Sequence, residues 1–271
     1  MIELGAKQLA TWLDEPSKEV GGYIDGLIPK DSLIIVSGEK KKAMKTYLCM
    51  VLGLSVASGA PCGTPPKGSS RIWTPTNTSG VPVLYLLQEG QEDASKRRFR
   101  AAATALGIAL PQVKMDVSFR KALKLDHSAT VQVLRQAVHD SGYGLIILDS
   151  LVFLHTQDEN DVQGLRKVTD AIMQIREAGC SVMWISHIRK DTKEGSKDID
   201  QRVRGSGVLT DARDTHLGLR CAKRGDPIIL EVDHRERDGA QYSLKWDIKN
   251  DMQHKPIWAE VLVSPAGETD E

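Results

Sequence analysis

Short blocks of consecutive apolar residues alternate along this chain with longer blocks of helical spacing. The apolar blocks fall at residues 33–36, 81–87, 145–148 and 181–185, with a weaker one at 113–117. Helical spacing holds over residues 45–57, 92–106, 130–139 and 161–178, and Gly107 is placed to stop the second of these. Apolar strands separated by helices of this length predict an α/β fold with a parallel sheet covered on both faces. A short helix is expected at residues 6–14, ended near Pro16, and residues 21–31 read as a connector with turn residues. Residues 59–80 form a Gly/Pro/Ser/Thr-rich stretch, long enough for a mobile or functional loop.

The pattern changes after residue 190. Residues 189–206 are polar and charged, and read as a long loop. Beyond them, alternating runs at 215–220, 228–233, 242–248 and 258–263 predict antiparallel strands added to the same sheet. The segment 264–271 is expected to be a frayed tail. There is no internal repeat and no flexible linker, so residues 1–271 read as one domain, with 1–31 as its lead-in.

Composition narrows the classes. The 36 basic and 36 acidic side chains cancel, so polyanion binding must come from local clusters. Cys49, Cys62, Cys180 and Cys221 include no C-x-x-C pair, which fits a reducing cytoplasm and speaks against a disulfide framework or a zinc site. No apolar run approaches the roughly 18–20 residues of a membrane span, and the first residues carry no signal-peptide pattern.

The chemistry gathers at the ends of the apolar blocks. Residues 33–36 run into Ser37-Gly38-Glu39-Lys40-Lys41-Lys42-Ala43-Met44-Lys45-Thr46, where a helix begins. A strand, a loop and a Lys-Thr helix start have the layout of a phosphate-binding loop. The spelling departs from G-x-x-x-x-G-K-[ST]: Met44 precedes the lysine, and the only glycine, Gly38, comes one residue too early. Two readings stay open on the loop alone, a deviant nucleotide site or a lysine-rich turn. The block 145–148 ends in Asp149, the form of a strand that delivers a Mg²⁺-holding carboxylate to the edge where open sheets bind ligands. The block 83–87 ends in Gln88-Glu89-Gly90, where Glu89 is placed either to activate water or to cap the next helix. The block 182–185 ends in Ser186-His187, a phosphate sensor or a structural histidine. The acidic side chains of the run Asp158-Glu159-Asn160-Asp161 are assigned to the dipole of the following helix rather than to a metal.

At this point the chain resembles the RecA-like ATPases, and among them the AAA-domain group of plasmid RepA-type and DnaB-type hexameric replicative helicases. The likeness rests on residues 23–33 as lead-in, 47–59 as the helix after the loop, and 83–98, where Glu89 is followed nine positions on by Arg98. It rests also on Asp149, on residues 185–190, on residues 204–214, and on His234-Arg235-Glu236-Arg237-Asp238-Gly239. The resemblance implies a ring-forming, Mg²⁺-dependent ATP hydrolase acting on single-stranded DNA, with other replication proteins as further partners. It implies ATP contacts from Gly38, Lys42, Ala43, Met44, Lys45, Thr46 and Tyr47, and Mg²⁺ at Thr46 and Asp149. Glu89 takes the catalytic role, His187 the sensor role, Arg235 a γ-phosphate contact and Arg237 that of an arginine finger. Lys223-Arg224 is the rival finger, on another turn. Within 189–206, Arg189, Lys190, Arg202 and Arg204 would track DNA phosphates; the alternative is a solvated loop. Arg71-Ile72-Trp73 offers a base-stacking or subunit contact. Two other activities remain open: a weakly hydrolysing nucleotide-binding assembly protein, and a recombination or repair ATPase.

Overall fold

The four stronger apolar blocks become strands that are paired on both sides and buried on both faces, while the weaker block at 113–117 gives the half-exposed edge strand. The computed structural model describes residues 7–14, 21–39, 43–65, 70–158, 161–188, 207–223 and 225–265. Helix α1 (Leu9–Asp14) precedes an antiparallel pair, β1 (Gly22–Ile24) and β2 (Ile28–Pro29), within the segment expected to be a plain connector. Then follow β3 (Leu33–Gly38), α2 (Lys45–Ser58), β4 (Val83–Leu87), α3 (Glu92–Leu106), β5 (Met115–Phe119), α4 (Ser128–Ser141), β6 (Leu145–Asp149), α5 (Val162–Arg176) and β7 (Ser181–His187). Short α6 (Gly207–Asp211) leads to β8 (Thr215–Arg220), β9 (Ile228–His234), β10 (Ala240–Asn250) and β11 (Pro256–Pro265). One sheet takes the order β11-β10-β9-β8-β3-β7-β6-β4-β5. From β8 to β5 the strands are parallel, and β9 to β11 are added antiparallel, as the pattern predicts.

The period of two along each strand divides the core. Val36, Tyr85, Ile147 and Met183 face one side, where they pack on Leu48 and Leu52 of α2. Ile35, Leu86, Ile146 and Trp184 face the other, against Leu134 of α4 and Leu165 of α5. Each fully buried Leu or Ile contributes roughly 1.5–3 kcal/mol. Helix α2 is buried almost all round, which explains why it lacks a polar face. The sheet covers one of its sides, and α3 with the β10–β11 hairpin covers the rest. There Tyr47 meets Ala101 and Ala259, and its ring lies 5.4 Å from that of Trp246.

Several expectations shift. Pairing of Val83 with Met115 starts β4 and β5 two residues later than the apolar runs suggest. Strand β11 carries through Pro265, so Ser264 and Pro265, expected in a frayed tail, are paired with Ser243 and Tyr242. Trp73 is not available to stack on a base: it is 2% exposed and sits edge-on to Tyr242. Arg71 donates to the carbonyls of Pro61, Ala105 and Leu106, closing the C-terminal end of α3. All four cysteines are buried free thiols. Asp161 caps α5 by accepting from the Gln163 N–H at 3.0 Å, as the dipole argument expects. Among the described residues no helix is long and apolar enough to cross a membrane.

Candidate active site

Glu89, Asp149 and His187 continue the odd-numbered positions of β4, β6 and β7. Odd positions on these strands face α2, so the three side chains arrive on the same side of the sheet as the start of that helix. All lie at the C-terminal edge of the parallel strands, where β3 hands the chain across β7 and β6 to β4. Such a crossing point is where open α/β sheets bind ligands.

The loop after β3 is held tightly at both ends. A side chain on Gly38 would meet the Leu219 carbonyl oxygen at 2.8 Å and the Ala43 methyl at 2.9 Å, so only glycine fits. Ala43 itself is buried and props the loop rather than lining the site. Lys45 turns its ammonium back onto the carbonyls of Gly38 and Glu39, at 2.7 and 3.1 Å. Lys42 lies outside the described residues. Met44 caps α2 in the left-handed region, with φ 52° and ψ 28°. This is the strained backbone expected where the usual glycine is missing, at a cost of roughly 1–2 kcal/mol. The Met44 side chain packs on the core beside Tyr47, which offsets part of that cost. Met44→Ala therefore keeps the strain and loses the packing, whereas Met44→Gly loses both. Urea unfolding is expected to find the Gly variant more stable than the Ala variant by about 1 kcal/mol, reversing their usual order; an Ala variant at least as stable as the Gly variant would refute the strain.

Asp149 is 1% exposed and held by both oxygens. Oδ1 accepts from the Thr46 hydroxyl at 3.3 Å and Oδ2 from the Tyr85 hydroxyl at 2.8 Å. Burial pushes its carboxyl up to about 6; the two hydroxyls oppose the rise, the Glu89 charge adds to it, and Lys45 lowers it. The peptide joining Asp149 to Ser150 is cis. Ser150 donates to Glu89 Oε2 at 3.4 Å, and His187 Nε2 lies 3.9 Å from the same oxygen. Arg120, at the end of β5, steadies this turn by donating its guanidinium to the Gly90 carbonyl.

Lys45, Thr46, Glu89 and His187 open onto a cavity of about 640 Å³, a size suited to a small organic ligand, with Asp149 buried beneath it. Met44, Lys45, Thr46 and Tyr47 form its floor, and Glu89 and His187 one wall. The opposite wall is the tip of the β10–β11 hairpin, with Asn250, His254 and Lys255. Arg97 and Arg98 of α3 close the side, and the Arg98 guanidinium lies 5.6 Å over the Tyr47 ring. Burial raises the Tyr47 hydroxyl, and Arg98 partly offsets this. Sequence reading missed Tyr85, Ser150, Arg120 and the hairpin tip. Only Tyr85 carried a signal, a hydroxyl in an otherwise apolar strand.

The arrangement agrees with comparisons to known proteins. A family described as "AAA domain" matches residues 3–193, which span β3 through β7 and every strand-end group above. The chain belongs to the AAA domain family. Among solved structures, a KaiC-like protein from the hyperthermophilic archaeon Pyrococcus horikoshii is similar over 90% of this chain and 94% of its own, with TM-score 0.54 and 12% identity. No curated protein sequence matches. The AAA domain therefore has a RecA-like fold and is a P-loop ATPase.

Two predicted groups lie elsewhere in the chain, beyond the residues that the family matches. Arg235 and Arg237 sit on the β9–β10 turn. Because β9 is antiparallel to β8 and its last residue, His234, pairs with Thr215, this turn stands at the N-terminal edge of the parallel strands. That is the end of the sheet opposite Lys45. Arg235 donates its guanidinium to the Asp211 carbonyl, while Arg237 is exposed. His234 braces the turn. The Gly26 carbonyl, 3.2 Å away, can only accept, so Nε2 carries the proton and Nδ1 takes the Thr215 hydroxyl at 2.9 Å. Burial, with Arg237 beside it, lowers the affinity of His234 for a second proton. Lys223, next to the rival finger, lies on the β8–β9 turn at the nucleotide edge; Arg224 lies outside the described residues. Arg189, Lys190, Arg202 and Arg204 also lie outside them.

Proposed function

We propose that this AAA domain hydrolyses ATP with Mg²⁺ as part of a head-to-tail ring, most simply a hexamer, that moves on single-stranded DNA in plasmid or phage replication. The observation that carries the reading is the separation of its parts. Lys45, Thr46, Glu89, Asp149 and His187 share one edge of the sheet, and the Arg237 turn stands at the other. A basic turn so placed is too far to serve its own nucleotide and suits that of a neighbour. An interface of that kind is heterologous and closes into a ring when the rotation allows.

The chain's own groups divide the work. Lys45 is placed to leave the loop carbonyls for the β- and γ-phosphates. Glu89 accepts a proton from the attacking water while the bond from the γ-phosphorus to its bridging oxygen breaks and ADP leaves. His187, beside Glu89, is placed to register the γ-phosphate. The Thr46 hydroxyl and the Asp149 carboxylate are hard oxygen donors that meet at one point, a donor set suited to Mg²⁺. Among the described residues no cluster of three or more His, Cys, Asp or Glu could hold a metal, so phosphates and water would complete the shell. The ion, when bound, would neutralise phosphate charge. The DNA role rests on the resemblance and on the basic residues of 189–206, which follow β7 from the nucleotide edge.

The test is an ATPase assay with and without single-stranded DNA, beside Lys45→Ala. Wild-type turnover is expected to rise with DNA, and the variant to lose roughly 10²–10³ of it. Turnover that survives Lys45→Ala would refute the site. Turnover indifferent to DNA would refute the motor and favour the nucleotide-binding assembly protein.

A further inference from the structure

A tyrosine inside an apolar strand must find a partner for its hydroxyl. Tyr85 is fully buried at the centre of β4, and that partner is Asp149 Oδ2. The register explains the reach: Tyr85 pairs with Ile147, two residues before Asp149 and on the same face. The phenol ring is fixed from the other side by Phe99 of α3, edge-on at 5.3 Å and 84°. Neither ring nor carboxylate can turn without giving up a buried hydrogen bond. The carboxylate is thus held so that Oδ1, and only Oδ1, faces Thr46.

We propose that Tyr85 is a positioning residue that orients the Asp149 carboxylate for Mg²⁺ and selects it over a larger divalent cation. The inference rests on the reading of Thr46 and Asp149 as the metal-holding pair. Mg²⁺ requires nearly octahedral oxygens at about 2.0–2.1 Å, whereas Ca²⁺ accepts longer and less regular contacts. A carboxylate free to rotate therefore penalises Mg²⁺ more than Ca²⁺. Groups that orient a metal ligand from behind typically contribute about 10–100-fold to metal affinity. Tyr85→Phe removes the hydroxyl alone and keeps the ring between α2 and α3.

The experiment follows binding of a fluorescent ATP analogue to the full chain while Mg²⁺ or Ca²⁺ is titrated. In Tyr85→Phe, the Mg²⁺ needed for half-maximal enhancement of binding is expected to rise about 10-fold, with a clearly smaller rise for Ca²⁺. Binding in EDTA is expected to stay at the wild-type value, and the metal-free unfolding temperature to fall modestly, because Asp149 Oδ2 loses a buried partner. Tyr85→Leu, which also loses the ring packing, is expected to lower that temperature further. An unchanged Mg²⁺ requirement in Tyr85→Phe, or equal shifts for both ions, overturns the inference. Wild-type enhancement that is absent, or that persists in Asp149→Asn, overturns the metal-pair reading and the tyrosine's role with it.

Discussion

Glu89→Gln is expected to lower ATP turnover by roughly 10²–10⁴ and to leave ATP binding near wild type. The amide keeps the size of the carboxylate and can still meet Ser150, which lies 3.4 Å from Oε2. It cannot take a proton from water. Lys45, Thr46 and the hairpin wall lie elsewhere around the cavity, so the binding surface is unchanged. One negative charge near the γ-phosphate is also removed, which favours equal or tighter binding. Single-turnover hydrolysis and titration with a fluorescent nucleotide separate the two effects. Turnover within a few-fold of wild type would remove Glu89 from the chemistry, and the charge of Asp149 would then be the remaining candidate.

Arg237→Ala is expected to cost roughly 10³ in turnover, the lower end for a finger supplied in trans. The position of the β9–β10 turn gives a sharper test than the loss itself. A protomer with Arg237→Ala keeps an intact phosphate site, and one with Lys45→Ala keeps an intact turn. Each alone is inactive, and a mixture should recover activity at interfaces where the two defects do not coincide. A mixture as inactive as its parts would show that Arg237 does not act on a neighbour. Arg235→Ala is expected to do less, because its guanidinium already donates to the Asp211 carbonyl within the same protomer.

Most of the sheet was legible because each central strand is apolar on both faces and because α2, α3 and α4 each stop at a glycine, as α3 does at Gly107. The convergence of Lys45, Glu89, Asp149 and His187 was legible too, since parallel strands must bring such ends to one edge. The strand ends alone did not say which side of the sheet each group takes; the odd numbering of 85, 89, 147, 149 and 187 carries that information once α2 is placed. The hairpin wall was not legible. Residues 250–256 reach the cavity only because β10 and β11 wrap over α3, a contact between segments far apart in sequence. Trp73 failed for the opposite reason. A Gly/Pro-rich composition suggests exposure, while the backbone bridge between Cys62 and Trp73 turns the indole inward.

The enclosure of α2 has a consequence for the order of events in the cell. Its apolar surface is covered in part by a hairpin that the ribosome makes only after β3 to β9 have emerged. Until that hairpin arrives, Tyr47 and the flank of the phosphate helix stay open to water, and the cavity has a floor but no far wall. Long-range closure of this sort is slow, and it exposes apolar surface to chaperones and proteases in the interval. A nascent chain would therefore gain its nucleotide only after β10 and β11 have been made and docked, and nucleotide capture would report that docking.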